Sequence, residues 1–327
     1  MRAMARALRY ERLVTERANR ASTRLDRLDA HGIAALMNRE DRRAVHAVGR
    51  VARDVAAAVD LVVGAWRAGG RLIFVGAGTS GRLGVLEAAE CPPTFGTPPS
   101  RVQAIMAGGR RSVFRSREGA EDDARAGARV VHKRARARDV VVGISASGVT
   151  PFVRGALIAA RQAGARTVLL TCSPAMVDAG RTLRARRSGR TRAIADVVIA
   201  PVPGPEVLTG STRLKAGTAT KLVLNTLTTA SMARLGKVYG NRMVDVQPRS
   251  RKLRERAARL VAEIGVVPPA RARRLLSAAD GRVPVAIVMA RRGLSAAVAA
   301  RTLREAGSLR SAIDGAGGRG HLRRRSS

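Results

Sequence analysis

The segment from Gly76 to Phe95 combines residue types that can hold an anion with residue types that can move a proton. It follows a short apolar run typical of a buried strand, and it opens with the turn Gly-Ala-Gly-Thr-Ser-Gly before a helical stretch that carries Glu87 and Glu90. Backbone N–H groups at a helix N-terminus lack internal partners, and the helix dipole favours negative charge. An anion site beside a candidate general acid indicates an enzyme that acts on a phosphorylated small molecule.

A second polar loop has the same character. The residues Gly143–Thr150 follow the apolar run Asp139–Val142 and precede a helix that begins at Pro151, a residue favoured in the first helical turn. Its hydroxyl groups could each donate a hydrogen bond to a phosphate oxygen; they belong to Ser145, Ser147 and Thr150. A single loop of this type is equally compatible with simple helix capping. Two such loops together favour one phosphosugar pocket.

Paired carboxylates are the candidates for acid and base chemistry. Glu87 and Glu90 are spaced to share one helix face, and Glu118 and Glu121 have the same spacing. Two carboxylates placed across a substrate allow one to protonate a leaving group while the other removes a proton. For any single glutamate, an ordinary surface residue paired with a nearby arginine is the better interpretation. The sequence pattern alone does not select Glu90 and Glu121 from this set.

A third polar segment, Thr209–Thr218, begins a long predicted helix. Its hydroxyls, together with Arg213 and Lys215, could reach an anionic ligand at the mouth of the pocket, although helix capping explains the hydroxyls equally well. The four histidines and two cysteines show no spacing typical of metal ligands, so we expect no metal site.

Alternating apolar runs and helical stretches must position these loops. Continuous apolar strands separated by helices predict a parallel sheet covered on both faces, with ligands beyond the C-terminal strand ends. The predicted strands are Leu72–Val75, Val102–Met106, Val140–Ile144, Thr167–Thr171 and Val197–Ala200, and the predicted helices lie near Gly81–Glu90, Glu118–Val131, Pro151–Ala163 and Arg213–Leu235.

The chain ends are predicted to be mainly helical. Residues up to Arg67 have a helical pattern, and helices return after Gly240, with one possible strand at Val283–Met289. We therefore predict an N-terminal helical segment (1–68), a phosphosugar-binding domain (69–240), a small C-terminal subdomain (241–313) and a disordered basic tail (314–327). The arginine-rich stretch Gly180–Arg192 is predicted to be an exposed loop.

The composition restricts the function classes. A length of 327 residues with 46% hydrophobic residues suits a large α/β domain with an appendage. The formal net charge of +37 is spread along the chain without an aromatic stacking platform, which argues against a specific nucleic-acid function. No apolar run approaches the roughly 18–20 residues of a membrane span. With two cysteines, the pattern is typical of a cytoplasmic protein.

These segments, in this order, resemble the N-acetylmuramic acid 6-phosphate etherase family from Leu13 to about Ile313. The matching pieces are LVTERANRASTRLD (Leu13–Asp26), GRLIFVGAGTSGRLGVLEAAECPPTF (Gly70–Phe95), EGAEDD, DVVVGISASGVTPFV, TGSTRLKAGTATKLVLNTL and GKVYGNRMVDV (Gly236–Val246). The resemblance implies an α/β fold of the sugar isomerase (SIS) type, with a three-layer αβα parallel sheet and a small helical C-terminal region. It also implies a homodimer and no cofactor.

The resemblance further implies cleavage of the D-lactyl ether of N-acetylmuramate 6-phosphate by elimination and then addition of water, in cell-wall sugar recycling. On this chain the acid matches Glu90, and the second catalytic carboxylate, expected to be the C2 base, matches Glu121. The residues expected to bind the phosphosugar are Gly78, Thr79, Ser80, Ser145, Ser147, Thr150 and Lys215.

The chain departs from the family pattern at Val149, Ala175, Ser250-Arg251 and the Gly180–Arg192 insertion, and neither catalytic position is altered. Three alternatives stay open. The first is a non-catalytic sugar-phosphate-binding regulator of the same fold, like the glucokinase regulatory protein. The second is an aldose–ketose isomerase of the same fold, and the third is an RNA-associated protein driven by charge.

Overall fold

A parallel sheet forms the centre of the fold. Among the residues that the computed structural model describes, which are 13–173, 194–245 and 251–315, five parallel strands pair in the order β2-β1-β3-β4-β5. Their bounds are β1 Leu72–Gly76, β2 Val102–Met106, β3 Val140–Ile144, β4 Arg166–Leu170 and β5 Val197–Ile199. Each predicted strand of this sheet is present to within one residue at either end, and the predicted parallel α/β sheet is confirmed.

Helices connect and cover these strands. Three short 3₁₀ turns, at Val14–Glu16, Arg20–Ser22 and Leu25–Arg27, precede the first long helix. The helices up to the end of the sheet region are α1 Ala30–Gly49, α2 Ala52–Arg67, α3 Gly78–Phe95, α4 Arg111–Phe114, α5 Ala124–His132, α6 Pro151–Gln162 and α7 Lys215–Arg234. The helix predicted over Glu118–Val131 therefore begins only at Ala124, where the Asp123 side chain accepts a hydrogen bond from the Ala126 N–H as its N-cap.

The strand side chains alternate between two helical layers, as the period of a strand requires. Ile73, Val75, Val141 and Leu169 share a buried cluster with residues of α5 and α6. Phe74 belongs to the opposite face, where α3 approaches so closely that a Cβ on Gly84 would lie 2.9 Å from the Phe74 Cβ. The α2 helix contacts β1, β3 and β5. The result is the three-layer αβα arrangement that was predicted.

The described residues fall into two compact units. The first contains residues up to 89 together with 99–229, and the second contains residues 90–98 and 230–315. The N-terminal helices α1 and α2 thus belong to the same unit as the sheet, and the second unit begins before residue 241. The domain boundaries given from the sequence stay a prediction.

The second unit is mainly helical around its own apolar core. A short antiparallel pair, β6 Val238–Tyr239 and β7 Arg242–Met243, precedes a series of helices: α8 Arg251–Gly265, α9 Pro269–Ala278, α10 Val283–Arg292, α11 Ala296–Ala306 and α12 Leu309–Asp314. The strand predicted at Val283–Met289 is wrong, because this apolar run forms α10, with proline in its first turn and both faces buried.

Two predicted features lie outside the described residues: the loop at Gly180–Arg192 and the tail from residue 316 onward. The departures at Ala175 and Ser250 also lie outside them. Within the described ranges, no single helix combines the length and hydropathy needed to cross a bilayer; α10 and α11 meet that test only as a pair bent by 104°.

A buried ion pair joins the starts of two neighbouring strands. The Asp139 carboxylate, 2% exposed, accepts hydrogen bonds from the backbone N–H groups of Arg71 and Arg136. It also lies 2.6 Å from the Arg71 guanidinium. Because Arg71 and Asp139 immediately precede β1 and β3, this pair helps to fix the alignment of the two central strands.

We expect Asp139→Ala to lower the free energy of unfolding by about 3 kcal/mol, because it leaves the Arg71 guanidinium and two N–H groups without their acceptor. Urea unfolding followed by the fluorescence of Trp66, which lies in the same unit, measures the change. The control is Asp26→Ala, since Asp26 is exposed and should change stability by no more than about 0.5 kcal/mol. Equal stability of the two variants would contradict the role given to Asp139.

Candidate active site

A cavity of about 520 Å³ lies at the C-terminal ends of β1 and β3. The parallel register places Gly76 opposite Ile144, so the loops that follow these two strands are adjacent. The predicted site residues that line the cavity are Gly78, Thr79, Ser80, Glu121, Ser147 and Thr150. The two polar loops that the sequence singles out therefore contribute to one pocket, as predicted from their positions after the strands.

The first loop joins β1 to α3 within a very short turn. A Cβ on Gly76 would lie 2.7 Å from the Gly81 nitrogen, so only glycine allows the helix to begin this close to the strand. Gly78 has φ +52°, in the left-handed region that glycine adopts readily. Thr79 and Ser80 follow in the first turn of α3, where unpaired N–H groups and the helix dipole favour an anion.

The second loop is held together by its own hydroxyl groups. Ser145, 2% exposed, accepts a hydrogen bond from the Gly148 N–H at 3.0 Å, and its Oγ lies 2.8 Å from the Thr150 Oγ1. Ser145 therefore shapes the loop instead of lining the pocket. Ser147 and Thr150 do line it. Among the described residues, the Thr150 hydroxyl accepts no hydrogen bond from the N–H groups that open α6, as a capping side chain would. The alternative in which Thr150 serves only as a helix cap is not supported.

Glu121 is positioned by the start of α6. It lies in the turn between α4 and α5. Its backbone carbonyl accepts a hydrogen bond of 2.9 Å from the Phe152 N–H, which lies in the first turn of α6 and has no partner within that helix. Glu121 lines the pocket, as does its neighbour Asp122. Glu118 and Glu121 were predicted to share a helix face, and this is wrong because neither lies on a helix. Glu118 does not line the cavity.

The two glutamates of α3 have different surroundings. Glu87 is 4% exposed, pairs with the Lys221 Nζ and accepts a hydrogen bond of 2.8 Å from the Thr228 hydroxyl, so it joins α3 to α7. Glu90 is exposed and belongs to the second unit. Its role as the acid stays a prediction.

The structure does not agree with the prediction that Lys215 contacts the phosphate. Its side chain is completely buried, and its Nζ donates a hydrogen bond of 2.5 Å to Glu40, which also accepts one of 2.6 Å from the Asn19 amide. Burial acts to raise the pKa of Glu40, but the hydrogen bonds and the charge of Lys215 outweigh it, so this pKa lies below its ordinary value. Lys215 therefore forms a buried structural ion pair.

The N-terminus of α7 is capped by another buried acid. The Glu206 carboxylate accepts hydrogen bonds from the backbone N–H groups of Lys215 and Ala216 at 2.9 and 2.8 Å. Burial raises the pKa of Glu206, against the opposing effect of these two bonds. The carboxylate thus occupies the N–H groups that open α7, so this helix end is not available to an anion. Of the nearby hydroxyls predicted to reach the ligand, that of Thr212 lines the cavity.

Sequence reasoning missed part of the pocket wall. Leu13, Thr15 and Glu16 line the cavity from the N-terminal segment, and Gly210 lines it from the loop before α7. The available signal was the motif LVTERANRASTRLD, to which no role was assigned. A hydrogen bond of 3.2 Å from the Gly210 N–H to the Thr15 carbonyl joins these distant parts of the chain.

The charge of the pocket is opposite to that of the chain. Among its described lining residues, Glu16, Glu121 and Asp122 are acidic and none is lysine or arginine. A phosphate in this pocket would therefore meet hydroxyls and backbone N–H groups, such as those that open α3. In the same described ranges, no group of three histidine, cysteine or acidic side chains could hold a metal ion.

Several known proteins resemble this chain. A family model described as the glucokinase regulatory protein N-terminal SIS domain matches residues 54–161. A protein of Gloeobacter violaceus named N-acetylmuramic acid 6-phosphate etherase is 51% identical over 298 residues, 91% of this chain and 93% of its own. The protein of that name from Rubrobacter xylanophilus is 49% identical, with 93% and 97% covered.

Among solved structures, the phosphoheptose isomerase GmhA from Neisseria gonorrhoeae matches 62% of this chain and 97% of its own, at 19% identity and a TM-score of 0.45. A likeness of that size says nothing about the reaction.

Removing the charge of Lys215 separates its structural role from a binding role. We expect Lys215→Met to lower the free energy of unfolding by about 3 kcal/mol, because the buried Glu40 carboxylate loses its buried cationic partner and keeps only the Asn19 amide and the exposed Arg43. The double variant Glu40→Leu/Lys215→Met should recover most of this loss. Urea unfolding measures both. A Lys215→Met variant of unchanged stability with weakened phosphosugar binding would contradict the structural role.

The same pair has a predicted pH dependence. Since the pKa of Glu40 is lowered in the folded state, its stabilising effect is complete above the ordinary value near 4.5 and is lost as the pH falls through the lowered value. As the pH is lowered from 5, the free energy of unfolding of the double variant should therefore fall less than that of the natural protein.

Proposed function

The chain belongs to the N-acetylmuramic acid 6-phosphate etherase family, and we propose that its cavity holds the substrate with Glu121 as base and Glu90 as acid. It is a carbon–oxygen lyase that cleaves the D-lactyl ether of N-acetylmuramate 6-phosphate to N-acetylglucosamine 6-phosphate and D-lactate. The observation that most supports the residue roles is that Glu121 lines the same cavity as the hydroxyls of both loops.

The phosphate is proposed to bind where α3 and α6 begin. Thr79 and Ser80 stand at the first helix, and Ser147 and Thr150 stand at the second. Both helix dipoles favour the dianion, and the hydroxyls supply donors without adding a charge to the site. A bound phosphate would fix the rest of the sugar against Glu121, so that binding energy from a part of the substrate that does not react orients the reacting carbons.

The proposed reaction is elimination followed by addition. Ring opening gives an aldehyde at C1, which acidifies the proton on C2, and Glu121 removes that proton. The C2 electron pair forms a double bond to C3 as the C3–O bond breaks, and Glu90 protonates the departing lactate oxygen. Water then adds to C3 of the unsaturated aldehyde as Glu90 takes one of its protons, and Glu121 returns a proton to C2, which leaves a hydroxyl on C3. Positioned carboxylates of this kind each contribute about 10²–10⁴-fold to a rate.

A non-catalytic sugar-phosphate-binding regulator is the second candidate. Its support is the match of residues 54–161 to the glucokinase regulatory protein SIS domain. That match begins within α2 and ends within α6, and it covers β1, β2 and β3 with both hydroxyl-lined loops. A regulator would bind the phosphosugar in the same cavity without releasing lactate.

We also propose that the protein is a homodimer and that it is cytoplasmic. A homodimer is supported by an apolar cavity of about 850 Å³ beside the edge strand β2, where Phe114 is 90% exposed and a second copy could cover it. Sedimentation velocity measures the number of copies in the assembly directly.

A cytoplasmic location is supported by the small number of cysteines and by a phosphorylated substrate of cell-wall sugar recycling.

Lactate release tests the reaction and the role of Glu121. The natural protein should release D-lactate from N-acetylmuramate 6-phosphate, and Glu121→Gln should lower kcat by about 10²–10⁴-fold because the base is lost. Glu118→Gln is the matched control, since Glu118 is exposed three residues earlier and does not line the cavity. Undiminished release by Glu121→Gln, or an equal loss in Glu118→Gln, would contradict the assignment.

Hydrogen exchange at C2 separates the acid from the base. Incubated with N-acetylglucosamine 6-phosphate in deuterated water, Glu90→Ala should still exchange the C2 proton, because the base remains. Glu121→Ala should not exchange it. Proton NMR of the product follows the C2 signal. Exchange that persists in Glu121→Ala but disappears in Glu90→Ala would reverse the two roles.

A further inference from the structure

The N-terminal segment forms one wall of the cavity and presents an acid to it. Leu13 and Thr15 are buried, at 6% and 4% exposure, whereas Glu16 is exposed and lines the cavity. Glu16 has no role in the reaction proposed above. Its carboxylate nevertheless shares the pocket with Glu121 and with the hydroxyls of both loops.

Two anchors hold this wall in place. The Gly210 N–H donates a hydrogen bond to the Thr15 carbonyl at 3.2 Å. Four residues further along, the Asn19 amide donates to the Pro205 carbonyl at 3.2 Å and to Glu40 at 2.6 Å, and Glu40 is the partner of the buried Lys215. The segment is therefore fixed to a buried ion pair, which makes its side chains suitable for precise recognition of a ligand.

The Glu16 carboxylate is oriented by its neighbours and has no cationic partner among the residues that the structure describes. The Thr15 hydroxyl donates to Oε1 at 3.0 Å, and Oε2 lies close to Gly210, where a Cβ would be 3.4 Å away. No salt bridge to Glu16 is found within residues 13–173, 194–245 and 251–315. An ionised carboxylate can accept about four hydrogen bonds, so most of its capacity is free for a ligand.

The chemistry of a carboxylate indicates which part of a ligand it meets. It only accepts hydrogen bonds and repels a phosphate dianion, so it does not suit the phosphate end of a phosphosugar. It suits the O–H and N–H donors of the sugar. We propose that Glu16 is a specificity-determining residue that accepts hydrogen bonds from these donors while the two loops hold the phosphate. This inference rests on the proposed function, because that function supplies the amino-sugar ligand.

Binding of two probes to the full-length protein tests the inference. By calorimetric titration, Glu16→Gln should weaken the binding of N-acetylglucosamine 6-phosphate by roughly 10- to 100-fold, because hydrogen bonds to a charged acceptor are lost. Inorganic phosphate, which lacks the sugar donors, should bind Glu16→Gln as well as it binds the natural protein. Asp26→Asn makes the same chemical change at an exposed acid nearby that does not line the cavity, and it should alter neither probe.

Two results would overturn the inference. One is unchanged binding of N-acetylglucosamine 6-phosphate by Glu16→Gln. The other is an equal loss for both probes together with a lowered unfolding midpoint, which would make Glu16 a structural residue. Lactate release by the natural protein is scored separately. Its absence would refute the proposed function, whereas the two-probe comparison would still decide the role of Glu16.

Discussion

The parallel pairing of β1 with β3 is the constraint on which the pocket depends. It sets Gly76 opposite Ile144, so β1 and β3 end at the same level of the sheet. After β1 the chain turns at once into α3, and Gly76 allows this turn to be so short because a Cβ there would collide with the Gly81 nitrogen. After β3 the loop 145–150 leads to α6. The residues that open α3 and α6 consequently line one cavity.

Charged side chains serve the architecture more than the phosphate site. The chain has a formal net charge of +37, yet the described lining of the cavity contains no lysine or arginine. Two lysines of α7, Lys215 and Lys221, form ion pairs with Glu40 and Glu87. These pairs fix α7 against α1 and α3. The charged residues in the described lining of the cavity are therefore acidic, and its other polar side chains are hydroxyls.

The features that were predicted correctly are those that depend on residues close together in the sequence. The five sheet strands and the two polar loops were found from the sequence because buried apolar runs and helix-start residues are local signals. The apolar run at Val283–Met289 was mistaken for a strand because a segment buried on both faces has the same continuous apolar pattern in a strand and in a helix. The burial of Lys215 and the place of Glu16 in the pocket were missed, since both depend on partners far away in sequence, such as Glu40 and Gly210.

The most direct test is a crystal structure of the protein with N-acetylglucosamine 6-phosphate. The account predicts the phosphate between the starts of α3 and α6, with its oxygens about 3 Å from the hydroxyls of Thr79, Ser147 and Thr150. The sugar carbon C2 should then face the Glu121 carboxylate. A phosphate bound to arginines outside this cavity, or a sugar turned so that C2 faces away from Glu121, would contradict it.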